Sequence, residues 1–427
     1  MTRHDSSVAV DQPSRSVDHC RICNSENLHR YLDLGATPLA NSYLQKAQLK
    51  QPEFSEDLCL QLCEDCGLSQ LTKVVHPDRM FRHYLYVSST TQTMREHFKE
   101  LAVSSRAHVK ARPGSLAIDV ASNDGLLLSS FIEAGMQAVG VDPAENLAAE
   151  ANAKGLTTEC AYWNENVAQN VREKHGPAQV ITACNVFAHA DDLQEFMRGV
   201  DAALDKKGVF VIECPYALDF IEHNEFDTAY HEHLSYIALT PLRALMELHG
   251  FHLSDFEHFP NIHGGTIRVY AKRGKGKPSA DLQAALQRES EFGIKEPRVY
   301  DAFADRVVRN RKKLRDLVED LRAQGKTIWA YGASAKGNTL MNFFGLHSEQ
   351  VAKAVDDNPK KHGYFAPGSR MEIVGPEALA DGKPDYLLLL AWNFEKEIRR
   401  RCHERGYKGH FIVPVPEAHT ISGGEDA

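Results

Sequence analysis

Between residues 115 and 272, and again from 326 to 413, short apolar runs alternate with amphipathic helical stretches, and this alternation limits the possible folds more than any other feature. Strand-length runs at 115–121, 137–141, 179–184, 208–213, 251–258 and 265–272 predict an α/β domain on a largely parallel sheet. The last two runs read as a hairpin, hence an antiparallel edge. Residues 76–110 read as helical, with Met94, Phe98, Leu101 and Ala102 on one stripe. A basic, polar stretch at 273–296 reads as a linker. A long helix follows over 299–323, with Phe303, Val307, Leu314, Leu317 and Leu321 on its apolar face. The second series then runs strand 326–331, helix 335–344, strand 351–355, strand 385–391, helix 394–405 and strand 410–413. The expected fold class is α/β, with two Rossmann-like domains.

Ahead of these domains stand Cys20-Arg-Ile-Cys23 and Cys63-Glu-Asp-Cys66. Each CxxC forms a tight knuckle, and two knuckles give the four-thiolate tetrahedron that zinc favours. Gly67 suits the turn that closes the second knuckle. The gap between the pairs exceeds the usual spacing of about 15–20 residues. Four thiolates leave no open position, so one structural zinc ion is expected, held by Cys20, Cys23, Cys63 and Cys66. Cys59, close by on a strand, is a rival ligand. Cys160, Cys184, Cys214 and Cys402 are expected in the core.

The run 115–121 leads into Asp119-Val120-Ala121-Ser122-Asn123-Asp124-Gly125 and then a helix. An acidic residue, a turn of small residues and a helix start make a nucleotide-type loop that lets backbone approach a ligand. The next strand ends on Asp142, where a carboxylate accepts from both hydroxyls of a ribose. There is no GxGxxG triplet to cradle a pyrophosphate. That disfavours a dinucleotide and suits S-adenosylmethionine (SAM), a ligand without phosphates. Asn185, ending strand 179–184, would face its methionyl part. Trp163 reads equally as a partner for adenine and as a core aromatic.

Beyond strand 208–213 comes Tyr230-His231-Glu232-His233-Leu234-Ser235-Tyr236. Histidine changes charge nearest neutral pH and is the natural proton acceptor for a carbon acid. The HExxH spacing of a metal site is absent. Catalytic proton transfer and a structural polar loop are the main readings. His83 to Ser89, with Tyr84 and Tyr86, reads as a lid or a connector. Asn261-Ile262-His263-Gly264-Gly265 reads as a substrate contact or a hairpin turn.

At these residues the chain resembles the zinc-containing nucleotide-sugar C-methyltransferases, including the C-3′-methyltransferases of deoxysugar antibiotic pathways. The resemblance rests on the two cysteine pairs, Pro38-Leu39-Ala40-Asn41, Tyr84-Leu85-Tyr86-Val87-Ser88-Ser89, Ser122-Asn123-Asp124-Gly125, Tyr230 to Tyr236, and Gly332-Ala333-Ser334-Ala335-Lys336-Gly337. Ala121 departs from the pattern, since methyltransferases often carry glycine there. The resemblance implies a nucleotide-linked 4-keto-6-deoxysugar as substrate, methylated on the carbon next to the ketone through an enolate. It places the base at His233. Tyr84, Tyr230 and Glu232 would orient the sugar or stabilise the oxyanion, His189 would lie close to the reacting centre, and Tyr86, His231, Asn261 and His263 would touch substrate. Ser334, Lys336 and Asn338 at a helix start would bind the diphosphate, with Tyr364, Trp392 and Asn393 holding base or sugar.

A formal net charge of −9 over 427 residues argues against nucleic-acid binding. No run approaches the ~18 apolar residues of a membrane span, and residues 1–17 lack a signal-peptide core. A cytoplasmic monomer is expected. It divides into a disordered tail (1–17), a zinc-binding domain (18–75), a methyltransferase domain (76–285), and a linker helix with a C-terminal α/β domain (286–427). Rival readings are an O- or N-methyltransferase of another small molecule, a zinc-ribbon regulatory or nucleic-acid binding protein, and, more remotely, a dinucleotide dehydrogenase.

Overall fold

The computed structural model describes residues 13–82, 92–262 and 264–423. Tyr84, Tyr86 and His263 therefore lie outside the described residues.

The larger sheet has seven strands in the spatial order Phe251–Phe259, Thr266–Arg273, Leu204–Pro215, Ala178–Cys184, Leu116–Val120, Gln137–Asp142 and Thr157–Cys160. Pairing is parallel except around Thr266–Arg273, which runs antiparallel to both neighbours. Leu116–Val120 is buried at every position, as a central parallel strand covered on both faces must be. The carboxyl ends of the parallel strands gather Ala121–Asn123, Asp142 and Asn185 on one edge.

The second sheet has the spatial order Glu372–Val374, Lys353–Val355, Ile328–Tyr331, Tyr386–Leu389, His410–Val413 and His419–Ile421. In chain order that is 3-2-1-4-5-6, the doubly wound arrangement, with only the last strand antiparallel. The strands Glu372–Val374 and His419–Ile421 are three residues each, too short to leave a periodicity in the sequence.

The N-terminal sheet is antiparallel, in the order Ser235–Tyr236, Ser69–Leu71, Ser55–Cys63 and Leu28–Pro38. Its first strand begins two residues after His233, so this sheet incorporates a segment of the methyltransferase region. Ser14–Ser16 pairs with Lys73–Val75, which puts residues 14–16 in the zinc region rather than in a disordered tail.

The expected linker at 273–296 contains a helix, Ala280–Phe292. Ser279 caps it by accepting from Leu282 N–H, and Gly293 ends it at φ +82°, both standard terminus signals. Its fully buried Glu289 accepts from the Tyr216 hydroxyl at 2.8 Å and from the N–H groups of Leu239 and Thr240. The long helix Pro297–Ala323 buries Tyr300, Phe303, Val307, Asn310, Leu314, Val318 and Leu321. Tyr300 meets Tyr31 of the zinc region at 4.9 Å between ring centroids. Asn310 exchanges hydrogen bonds with Pro414 O and Ala418 N–H in the last domain. This helix thus joins the first and last parts of the chain.

Candidate active site

The two cysteine pairs form matching knuckles. Asn24 N–H donates to Cys20 O at 2.9 Å and Gly67 N–H to Cys63 O at 2.8 Å. Asn24 and Gly67 each sit four residues after the first cysteine of their pair, at φ +58° and +88°, a region that favours Asn and Gly. The four Sγ atoms lie within 4.8 Å of one another, with Cys20–Cys66 at 3.4 Å and Cys23–Cys63 at 3.5 Å. Tetrahedral thiolates about 2.3 Å from zinc would stand roughly 3.8 Å apart, so the donor set fits the ion. Cys59 is not part of this cluster. Cys214 and Cys402 are buried as expected, Cys184 is half-buried, and Cys160 is exposed at the end of an edge strand rather than in the core. The hairpin Leu28–Pro38 with Ser55–Cys63 and its connecting loop fill the long gap between knuckles.

The turn after Leu116–Val120 is tight. Ala121 and Asn123 lie at φ +58° and +52°, so alanine stands where backbone geometry favours glycine. Gly140 is required by close approach: a Cβ there would fall 2.2 Å from Ser122 Oγ. Asp142 accepts from Asn123 N–H and Ala144 N–H, both at 2.8 Å, one on each oxygen. Each oxygen keeps a second acceptor position. Asp119 accepts from the Thr182 hydroxyl at 2.6 Å. Burial pushes its carboxyl up to about 7, the Thr182 hydrogen bond opposing and Asp142 adding. Ser122 Oγ and Asp124 Oδ1 are buried without a partner among the described residues, polar atoms that a bound ligand would satisfy. This edge fits SAM, with Asp142 offering two acceptors to a ribose. Asn185 sits at φ +54°, its N–H bonded to Glu213 O. Trp163 takes the packing role instead of facing this edge: its N–H donates to Phe196 O at 3.1 Å and its ring lies against Gly199.

Next to this edge is the histidine loop. His233 Nδ1 donates to Thr228 O at 2.8 Å, and Tyr230 Oη lies 2.7 Å from His233 Nε2. A carbonyl can only accept, so the hydrogen is on Nδ1 and Nε2 holds the lone pair. The His189 ring stands 5.0 Å from that of His233 and stacks on Phe81. Burial pulls the His189 imidazole down to about 4, so it is neutral near pH 7. Glu232 accepts from Asn41 Nδ2 at 2.7 Å. His231 is buried and donates to Glu56 O at 3.0 Å, which directs it into the zinc region rather than toward a substrate. Asn261 is exposed at the tip of the hairpin between Phe251–Phe259 and Thr266–Arg273, with Gly264 and Gly265 packed over the carboxylates of Glu225 and Asp219; the turn reading holds.

The C-terminal domain repeats the carboxylate arrangement. Asp356, ending its second strand, accepts from Ala333 N–H at 2.8 Å and Asn358 N–H at 2.9 Å, again one per oxygen. Gly332 N–H donates to Val355 O at 2.7 Å, as Ala121 N–H does to Val141 O. Lys361 lies 3.3 Å from Asp356 and donates to Ala333 O, which also accepts from the Tyr43 hydroxyl at 2.6 Å. Asp356, Lys361 and Tyr43 were not singled out from the sequence, and Asn41 stood out there only as the end of the Pro38–Asn41 motif, without a role. The acidic residue ending a second strand was the available signal for Asp356.

Ser334 caps its helix through Gly337 N–H. Asn338 is buried and donates to Ala40 O at 2.7 Å. Lys336 is not a bare ammonium awaiting phosphate. It lies 3.5 Å from Glu225 and 3.9 Å from Asp227, over the Trp392 ring, and Trp392 N–H donates to Asp227 at 2.7 Å. Tyr364 and Asn393 are half-buried, Asn393 just past strand Tyr386–Leu389 and Tyr364 in the loop before Glu372–Val374.

Comparison with known proteins agrees with this layout. Three family descriptions match: a zinc binding domain over residues 20–81, a methyltransferase domain over 93–254, and a C-methyltransferase C-terminal domain over 261–416. C-methyltransferase NovU of Streptomyces niveus is 37% identical over 413 residues, which covers 96% of this chain and 98% of that protein. Similar solved structures include an S-adenosylmethionine-dependent methyltransferase from Clostridium acetobutylicum ATCC 824, at 13% identity over 42% of this chain and 92% of that one, with a TM-score of 0.34. Another is magnesium protoporphyrin IX methyltransferase (ChlM) from Synechocystis PCC 6803 with bound SAH, at 13% identity over 44% and 89%, with a TM-score of 0.34. No helix among the described residues is long and apolar enough to cross a membrane. With zinc-binding, methyltransferase and C-methyltransferase C-terminal regions in order, and a relative matched almost end to end, the chain belongs to the zinc-binding, SAM-dependent C-methyltransferases.

Proposed function

We propose that the protein methylates the carbon adjacent to the ketone of a nucleotide-linked 4-keto-deoxysugar, with His233 as the base. The observation that carries this reading is the tautomer of His233: Nδ1–H is spent on Thr228 O, leaving Nε2 as the proton acceptor. A ketone acidifies the neighbouring C–H. Nε2 takes that proton, and the electron pair forms an enolate whose carbon is the nucleophile. Bound SAM supplies the electrophilic methyl. In the free site the Tyr230 hydroxyl occupies Nε2. On substrate entry it turns to the ketone oxygen and donates as negative charge develops there. Neutral His189 borders the same centre, and Asn41 fixes Glu232 for contact with the sugar. Tyr84 and Tyr86 belong to this reading through the family resemblance.

The second carboxylate supports a nucleoside in the C-terminal domain. Asp142 keeps one free acceptor position on each oxygen. In Asp356 one oxygen is used by both Ala333 N–H and Lys361, leaving a single free position on the other. Asp356 therefore offers one hydroxyl of a pentose a partner. Lys361 is a second cation near this edge, ion-paired to Asp356 as Lys336 is to Glu225.

The test is incubation with SAM and a panel of nucleotide 4-ketosugars, with mass spectrometry for the gain of one methylene and NMR for a carbon-bound methyl. An oxygen- or nitrogen-bound methyl would overturn the reading. His233→Ala is expected to retain SAM binding and lose turnover by about 10²–10⁴-fold; normal turnover would remove His233 from the base role.

A further inference from the structure

The carbonyl that orients His233 belongs to Thr228, and the residues on both sides of Thr228 are tied to the C-terminal domain. Asp227 accepts from Trp392 Nε1–H at 2.7 Å. Ala229 O accepts from the Thr339 hydroxyl at 3.0 Å. One residue earlier, the Phe226 ring packs edge-on against Phe343 and Phe344, at 5.2 and 5.7 Å between centroids. Asp227, Ala229 and Thr339 are all buried, so water does not substitute for these partners. The direction of a carbonyl is set by its peptide plane; the N–H in that plane, from Ala229, donates to Phe226 O at 3.0 Å, and the contacts to residues 226, 227 and 229 hold the turn that carries it.

We propose that Thr339 and Trp392 are positioning residues for methyl transfer. They hold the Thr228 carbonyl where it keeps the hydrogen on His233 Nδ1 and aims Nε2 at the substrate carbon. The C-terminal domain then contributes to proton abstraction while touching neither the base nor the reacting atoms. This gives Trp392 a role other than contact with the nucleotide. The proposal rests on His233 being the base. A hydrogen bond from Nδ1 to a carbonyl strengthens when the ring is protonated, so it favours the imidazolium and raises the pKa of the base. Loosening the carbonyl should slow the reaction and move the acid limb of kcat/KM to lower pH.

The experiment uses the full chain with its zinc, comparing Thr339→Val, Thr339→Ser and Trp392→Phe in SAM affinity, kcat, KM for the ketosugar nucleotide and the pH profile. Thr339→Val is expected to lower kcat about tenfold or more, the cost typical of an orienting partner behind a reacting group. SAM affinity and KM should stay within about twofold, and the acid limb should shift down. Thr339→Ser keeps the hydroxyl and should restore kcat. Trp392→Phe keeps the ring, loses the N–H, and should repeat the Thr339→Val pattern, which covers the case in which the valine variant folds poorly. In a His233→Asn background, Thr339→Val should cost nothing further, because residues acting through one another are not additive. Parental kcat and pH profile in both Thr339→Val and Trp392→Phe would overturn the proposal. So would a serine variant as slow as the valine one, or a full multiplicative loss in the His233→Asn background. Full turnover by His233→Asn alone would instead refute the base assignment, so the two failures can be told apart.

Discussion

Tyr230 Oη lies 2.7 Å from His233 Nε2, the only ring nitrogen of that histidine with a lone pair to give. On the proposed mechanism the phenol occupies the acceptor site until a substrate arrives and then serves the ketone oxygen. Tyr230→Phe should keep the base and lose the donor. The expected loss in kcat is about 10²-fold, with SAM affinity unchanged. Unaltered single-turnover rates in this variant would show that the oxyanion is served elsewhere.

Asp119 is expected to make SAM binding depend on pH. Burial holds its carboxyl up to about 7 in the free protein. A cationic ligand favours the ionised form, so affinity should rise as pH increases through about 7 and level off above it. Calorimetric titration between pH 6 and 8.5 measures this, and Asp119→Asn should flatten the curve. An equally steep curve for the asparagine variant would assign the dependence to another group.

The two repeated carboxylates should separate two ligands. Asp142→Asn is expected to weaken SAM by about 10–100-fold, the worth of one or two charge-assisted hydrogen bonds. KM for the sugar nucleotide should be nearly unaffected. Asp356→Asn should do the reverse. Binding isotherms for each ligand on each variant check this, and a sugar-nucleotide KM that ignores Asp356 would exclude that domain from substrate binding.

Glu225 predicts how stability changes with pH. Burial pushes its carboxyl from 4.5 up to about 8, with Lys336 opposing and Asp227 and Asp219 adding. A group raised on folding gives stability that is complete below its unfolded pKa and is lost as pH climbs through the folded value. Its contribution should therefore fade between about pH 4.5 and 8. Glu225→Gln should flatten the decline of Tm in that range. Parallel Tm profiles for the two proteins would contradict the assignment.

Removing zinc should disturb structure and rate together. Structural zinc sites carry on the order of 10 kcal/mol of folding energy, and strand Ser235–Tyr236, just after His233, belongs to the sheet the metal supports. With a strong chelator, hydrogen exchange at residues 235–236 should rise in step with the loss of turnover. Turnover lost while those amides stay protected would argue that the ion has a chemical role.

The two α/β domains and the knuckles were readable from the sequence because each rests on local signals: apolar runs of strand length, CxxC spacing and acidic strand ends. The helix Ala280–Phe292 was missed although Ser279 and Gly293 marked its ends, because the Gly-Lys run before it dominates the composition. The assignments that shifted are those decided by distant partners. Nothing near Lys336 in the chain announces Glu225 and Asp227, and nothing near His231 announces the Glu56 carbonyl. Asn41 could be noticed as part of a motif, but its partner Glu232 lies 191 positions away.

The loop between strands Leu28–Pro38 and Ser55–Cys63 sends Asn41 to Glu232 and Tyr43 to Ala333, so it reaches two other parts of the molecule. This bears on how such proteins could be recombined. A chimera that exchanges the front segment between relatives would inherit a well-formed metal knot yet break both distant latches unless the recipient matches them. Crossover points that keep this loop together with residues 225–236 and the start of helix Ala335–Phe344 should give working hybrids, whereas cuts at the apparent module borders should not.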